Sequence, residues 1–218
     1  MAWTVVVPLK PLSRAKSRLA ATVPDARRPA LALAFAQDTV AAALACESVR
    51  GVVVVTDDPC AGRALRVLGA HVVPDAPGLN AALAHGARMV RTQLPGAAVA
   101  ALNADLPALR TEELGRVLDA AAAGPRAFLA DAAGIGTTLL AAAAGVELAP
   151  AFGGPSRARH RASGAWEIEL PDVASVRQDV DTGEDLRAAL CLGVGPHTTA
   201  LLVEAPGCPP PPAYVAPG

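Results

Sequence analysis

Val5, Val6 and Val7 form a continuous β-branched run closed by Pro8, and further short apolar runs follow at residues 51–56, 71–74 and 99–102. None of them alternates apolar with polar residues. A strand that is apolar on both faces has to be covered on both faces, which is the pattern of a parallel sheet rather than of a half-solvated antiparallel one. Between the runs lie Ala/Leu-rich stretches at 30–46, 60–68 and 81–93 built from strong helix formers. Strand, helix, strand, helix in that order predicts parallel strands joined by right-handed crossovers, an α/β fold. A fifth strand is expected at 126–130, a half-exposed strand at 166–170 where Trp, Glu, Ile, Glu and Leu alternate, and a last strand at 200–204. Asn80 and Thr111 are placed to cap helices, and Thr182 with Asp185 three residues on fits a capping box.

At 218 residues the chain suits one domain, and with 52% hydrophobic but only 3% aromatic residues its core is aliphatic. A formal net charge of -1 argues against a nucleic-acid or membrane-surface protein held by bulk electrostatics. The cysteines at 46, 60, 191 and 208 are scattered, which fits neither a zinc site nor a disulfide framework. Met1 runs directly into a strand without a signal peptide, and no uncharged run is long enough to span a bilayer, so a cytoplasmic protein is expected. A domain over 1–205 and a Pro-rich tail over 206–218 complete the expected organisation.

Chemistry-bearing residues concentrate after the strands. The loop behind the first strand holds Lys10, Ser13, Arg14, Lys16, Ser17 and Arg18, and Lys10 and Lys16 are the only lysines among 19 basic residues. Lysine is a compact, mobile point charge suited to phosphates that shift during a reaction. A cationic loop at the end of the first strand is where an open α/β sheet binds polyphosphates, although the same residues also suit a solvated basic turn. Asp105 follows the fourth strand, where a carboxylate suits Mg²⁺ or caps the next turn. Asp179 and Asp181 precede the Thr182 helix on a strand end, where alternation would turn only one of them, Asp181 being the candidate, toward the crevice. Gly134, Gly136, Thr137 and Thr138 suggest a backbone nest for an anion. Gly153, Ser156, Arg157, Arg159 and His160 form a second polar cluster that could wall an anion site, with a direct chemical role for His160 the lesser reading. Asn80 either caps its helix or reads a nucleoside.

The order of these motifs, Pro-Leu-Lys…Ala-Lys-Ser-Arg-Leu19, Asp75…Gly78-Leu-Asn80, Ala104-Asp105-Leu-Pro, Gly134-Ile-Gly-Thr-Thr138, Phe152-Gly…Ser156…His160 and Asp179-Val-Asp-Thr182, resembles the nucleotidyltransferases with a glycosyltransferase-A-like fold. Within them it resembles the 2-phospho-L-lactate / phosphoenolpyruvate guanylyltransferases of coenzyme F420 biosynthesis, over residues 4–204. The resemblance implies a single-domain Rossmann-like three-layer α/β/α nucleotidyltransferase fold with a mixed, mainly parallel central sheet. It implies transfer of GMP from GTP to phosphoenolpyruvate or 2-phospho-L-lactate with release of pyrophosphate, by a monomer or homodimer. Thr138, Gly153 and Ser156 would hold the acid, and Asp105 and Asp181 would hold Mg²⁺. Lys10, Ser13, Arg14, Lys16 and Arg18 would hold the GTP phosphates, with Lys10 and Lys16 on the leaving pyrophosphate, and Asn80 would lie near the nucleoside. Ile135 and Asn103 depart from the family pattern, which would have a small or hydroxyl residue and a Pro there, without removing an implied ligand. The competing readings are a molybdenum-cofactor guanylyltransferase-like enzyme, disfavoured by the absence of a Leu-Ala-Gly-Gly opening, and a non-catalytic nucleotide-binding protein on the same fold.

Overall fold

The structure, a computed structural model, describes residues 2–14 and 16–203; the side chains of Arg14, Ser17 and Ala21 and the Pro-rich tail lie outside the described residues. Among the described residues seven strands form one sheet in the order β3-β2-β1-β4-β6-β5-β7. Strands β1 (Trp3–Pro8), β2 (Val49–Val55), β3 (His71–Val73) and β4 (Ala98–Leu102) are parallel, and helices α1 (Arg28–Ala45), α2 (Pro59–Val67) and α3 (Leu79–Gln93) link them. Helix α4 (Thr111–Ala121) leads to β5 (Arg126–Ala130), and β6 (Thr137–Ala142) then runs antiparallel between β4 and β5. The chain finishes with α5 (Ser156–Ala162), edge strand β7 (Trp166–Glu167), α6 (Ala174–Arg177), α7 (Gly183–Leu192) and α8 (Pro196–Val203).

The continuous valine runs are read on both faces. Val5, Val7, Val52 and Val54 pack under α1, α2 and α4, whereas Val6, Val53 and Val55 pack under α3. Each successive strand residue therefore meets a different helical layer, so no strand position can be polar without cost. Gly86 lets α3 lie directly on the sheet, since a Cβ there would meet Val6 Cγ1 at 2.5 Å and Val55 Cγ2 at 2.8 Å. A third apolar cluster, with Leu19, Leu31, Phe35, Val180 and Leu186, fastens the opening loop and α7 to the first half of α1.

Several local expectations change. The expected strand at 166–170 is only two residues long: the Ile168 N–H still bonds to the Phe128 carbonyl as the last rung of the ladder with β5, and beyond the buried Ile168 the pairing stops. The expected strand at 200–204 is instead part of α8 over its described residues; Pro196 opens the helix and the buried Asp38 carboxylate accepts the His197 and Thr198 N–H groups at 2.9 Å each. Asn80 is not an N-cap: Gly78, with φ of 98°, holds that position and Asn80 lies inside the first turn of α3. Thr111 is likewise the first residue of α4 rather than its cap. The capping box at Thr182 is present, with the Asp185 side chain and main chain both engaged. Asp179 and Asp181 lie on no strand, but on the link between α6 and α7. Among the described residues no single helix is long and apolar enough to cross a membrane.

Candidate active site

A cleft of about 600 Å³ opens where β1 and β4 end and β6 begins. One wall is the opening loop, which is far more constrained than its composition suggests. Leu12 and Leu19 are buried anchors on either side of it, and Asp58 binds it from the neighbouring strand end. One Asp58 oxygen accepts the Leu12 N–H at 2.9 Å while the other caps α2 through Cys60 and Ala61. Partial burial would raise the Asp58 pKa, but hydrogen bonds from Ala61, Leu12 and Cys60 outweigh it and hold the carboxyl below its usual range.

Between those anchors, Lys16 takes a left-handed backbone with φ of 59°, which few non-glycine residues adopt. Its ammonium projects into the cleft and is shared by two carboxylates: a hydrogen-bonded ion pair with Asp105 and a contact of 3.2 Å to Asp181. Burial would lower the Lys16 pKa, but Asp105 and Asp181 more than compensate, so it is raised and the ammonium stays charged. Arg18 reaches Asp181 from the solvent side at 3.6 Å. Lys10 lines the same cleft, with its ammonium on Asp75 at 2.9 Å.

Asp179 and Asp181 both line the cleft, against the expectation that only one would. They sit in an irregular segment, so strand alternation does not govern them. Asp179 is pushed up to about 7, first by burial and then by Asp105, Asp181 and Asp131, with Lys16 opposing. Its carboxyl accepts the Asn103 amide at 3.3 Å. Asp131 is a fourth cleft-lining carboxylate that the sequence reading passed over; it directly follows β5 just as Asp105 follows β4, and that shared position was the available signal.

Asp131 also overturns the expectation of an anion nest at residues 134–138. Its own carboxylate accepts the Ile135 and Gly136 N–H groups at 2.9 and 2.8 Å, and a Cβ on Gly136 would collide with it. The nest is real, but its anion is internal. Thr137 and Thr138 belong to β6 rather than to a loop, and only Thr137 lines the cleft. Thr137 Oγ1 lies 3.0 Å from His160 Nδ1. Thr138 is fully buried, its hydroxyl without a partner among the described residues, at the point where pairing with β5 shifts register.

His160 is fully buried between Phe128 and Phe152, and its Nε2 accepts the Ala151 N–H at 2.9 Å. That bond requires a neutral ring with its proton on Nδ1, donated to Thr137. Burial, then Arg126 and Arg159, push its pKa down to about 4. His160 is thus a strut of the site wall and not a reagent. The two arginines expected to line the anion site turn elsewhere, Arg157 to Gly134 O and Glu167, Arg159 to Ala151 O and Gly153 O. Gly153, Gly154 and the buried Ser156 do line the cleft, and both glycines have positive φ, 93° and 47°. Asn80 does not face a nucleoside: its amide is spent on the Phe152 main chain, at 2.7 and 3.1 Å. Ser13 is exposed and is not a lining residue, and the Arg14 side chain lies outside the described residues.

The cleft can therefore place a lysine and an arginine beside three carboxylates on one side and two glycines with a serine on the other. Among the described residues no three His, Cys, Asp or Glu side chains converge closely enough to hold a metal alone. Two carboxylates bracketing a cation, beside a third that burial and its neighbours keep near neutrality, nevertheless fit a divalent ion that completes its shell with substrate oxygens.

Comparison with known proteins agrees with this arrangement. The profile of the family described as guanylyl transferase CofC like matches residues 3–204. The chain belongs to this family. It is accordingly an enzyme, a nucleotidyltransferase. A phosphoenolpyruvate guanylyltransferase of Streptomyces scabiei is 70% identical over 206 residues, covering 92% of this chain and 95% of the relative. The protein of that name from Thermomonospora curvata is 57% identical over 208 residues, covering 94% and 91%. Among solved structures, 4-diphosphocytidyl-2C-methyl-D-erythritol synthase superposes with a TM-score of 0.60 at 14% identity, covering 88% of this chain and 99% of that one. CMP:2-keto-3-deoxy-manno-octonic acid synthetase complexed with CTP superposes with a TM-score of 0.56 at 17% identity, covering 88% and 98%. These two likenesses carry the fold, an α/β nucleotidyltransferase.

Proposed function

We propose that this chain transfers GMP from GTP to phosphoenolpyruvate, giving enolpyruvyl-diphospho-guanosine and pyrophosphate, in the biosynthesis of coenzyme F420. The observation that carries the reading is the cleft's division: Lys16 held between Asp105 and Asp181 on one side, and Gly153, Gly154 and Ser156 on the other. Relatives of that name at 70% identity support it.

The acceptor's phosphate oxygen is already anionic at neutral pH, so the reaction needs no general base to make a nucleophile. It attacks the α-phosphorus, a new P–O bond forms, and the bond to the bridging oxygen of the leaving pyrophosphate breaks. The barrier lies in bringing two polyanions together and in stabilising charge on the transferring and leaving groups. Lys16 and Arg18 neutralise the nucleotide phosphates, and Lys10, released from Asp75, reaches the leaving pyrophosphate. The main-chain N–H groups of Gly153 and Gly154 and the Ser156 hydroxyl orient the acid, while Thr138 supports that wall from within the sheet. Asp105 and Asp181, with Asp179 beside them, would hold Mg²⁺, which supplies charge neutralisation on the phosphates when bound.

Pyrophosphate release from GTP, measured side by side with phosphoenolpyruvate, 2-phospho-L-lactate and 3-phosphoglycerate with and without Mg²⁺, tests the reading. Release with phosphoenolpyruvate alone or foremost is expected. Preference for 2-phospho-L-lactate would move the acceptor assignment, and no release with any of the three acids would overturn the assignment of a phosphorylated three-carbon acid as acceptor.

A further inference from the structure

The segment carrying Gly153 and Gly154 has two consecutive residues of positive φ, and a Cβ on either would find open space within 4 Å. Left alone, such a segment samples many conformations and loses substantial entropy on binding a ligand. Its main chain is instead held almost group by group. The Ala151 N–H goes to His160 Nε2 at 2.9 Å and the Ala151 carbonyl takes Arg159 Nε at 3.1 Å. The Phe152 N–H goes to Asn80 Oδ1 at 2.7 Å, and the Phe152 carbonyl takes Asn80 Nδ2 at 3.1 Å. The Gly153 carbonyl takes the Arg159 guanidinium. Of the polar main-chain groups from Ala151 to Gly153, only the Gly153 N–H is in no hydrogen bond among the described residues, and the Gly154 N–H after it is equally free.

Asn80 differs from the other two clamps in where it comes from. His160 and Arg159 lie within nine residues of the groups they hold, whereas Asn80 is 72 residues away, on the first turn of α3. Its neighbour Leu79 lines the cleft, and α3 is pressed onto the sheet at Gly86. The amide thus refers a glycine-rich loop to a rigid helix.

We infer that Asn80 is a positioning residue for the acceptor site: its two-pronged amide contact with Phe152 locks the loop so that the Gly153 and Gly154 N–H groups remain available to the anionic acceptor. The inference rests on the proposed role of Gly153 and Ser156 in holding that acceptor. It removes Asn80 from the nucleotide site and gives it an effect on the second substrate.

Asn80→Ala is expected to raise KM for phosphoenolpyruvate by about 10-fold or more while leaving kcat and KM for GTP within about threefold, because the cost falls on ordering one substrate's contacts. A residue that contacts the nucleotide would move KM for GTP instead, and that result, or an unchanged acid KM, overturns the inference. Asn80→Asp keeps the size and the acceptor for the Phe152 N–H but loses the Nδ2 donor; it serves if the alanine variant does not fold, and the same split is expected. Hydrogen exchange at the Phe152 amide gives a second readout that needs no substrate: faster exchange in Asn80→Ala, which removes the acceptor for that N–H, supports the clamp, and unchanged exchange there sinks it. Because the exchange is measured without any acid, the clamp is tested even if the wild-type enzyme proves inactive with every acid tried, an outcome that would count against the proposed function.

Discussion

Lys16 combines an uncommon backbone conformation with an ammonium that two carboxylates share, and both follow from Leu12 and Leu19 pinning the loop on either side of it. Asp105 is the more deeply placed of its two partners, and a carboxylamide there would keep the shape while removing the charge. Asp105→Asn is expected to lower pyrophosphate release by at least ~10²-fold with the fold intact, as judged by an unchanged circular dichroism spectrum. Turnover within a few-fold of wild type would remove Asp105 from the catalytic centre. His160 makes a different prediction at the same scale. Its folded pKa is depressed to about 4, so as pH falls below the ordinary histidine value the unfolded chain takes up a proton first and stability is lost. Between about pH 7 and about pH 5 that loss is of order 2 kcal/mol. Denaturant midpoints measured across this range should show the slope in wild type and a shallower one in His160→Gln. Equal slopes would mean that His160 is not held neutral.

At the scale of elements, α3 is the piece on which both sides of the cleft depend. Its contact with β1 and β2 is so close at Gly86 that alanine would need two stiff valines to move. Overpacking of this kind costs about 1–3 kcal/mol, which exceeds the helix propensity of up to ~1 kcal/mol that alanine would add. Gly86→Ala should therefore destabilise the protein by about 1–2 kcal/mol in urea titrations, despite being a favourable change for an isolated helix. A neutral or stabilising result would show that α3 can rise from the sheet. Much of this level was legible in the sequence: the apolar runs at 5–7, 51–56 and 99–102 mark the strands that extend over 3–8, 49–55 and 98–102, and the Thr182 capping box lay within four residues. The strand expected near the C-terminus was wrong because α8 takes its N-terminal hydrogen bonds from Asp38, some 160 residues earlier.

For the molecule as a whole, that same Asp38 contact closes the chain on itself, joining α8 to α1. Removing the carboxylate strands two main-chain N–H groups, one of them buried. Asp38→Ala is expected to cost about 2 kcal/mol, a fall in melting temperature of about 4–8 °C by calorimetry, and Asp38→Asn should cost less because it keeps one acceptor. An unchanged melting temperature would mean that α8 contributes nothing to global stability.

Strand periodicity, helix formers and the placing of Lys10, Lys16 and Asp105 at strand ends were determined by the sequence alone, since each depends on neighbours a few residues apart. What the tertiary structure decided is how those groups are used. The loop behind the first strand is both a buried turn and a presenter of charge, because its leucines sink into the core while Lys16 reaches across 89 residues of sequence to Asp105 and 165 to Asp181. The Gly-Thr nest, which looked ready for a ligand, is filled by Asp131, and the amide that suited a nucleoside is occupied by Phe152. A sequence states which donors and acceptors exist, but which of them remain free depends on partners that only folding brings within hydrogen-bonding distance.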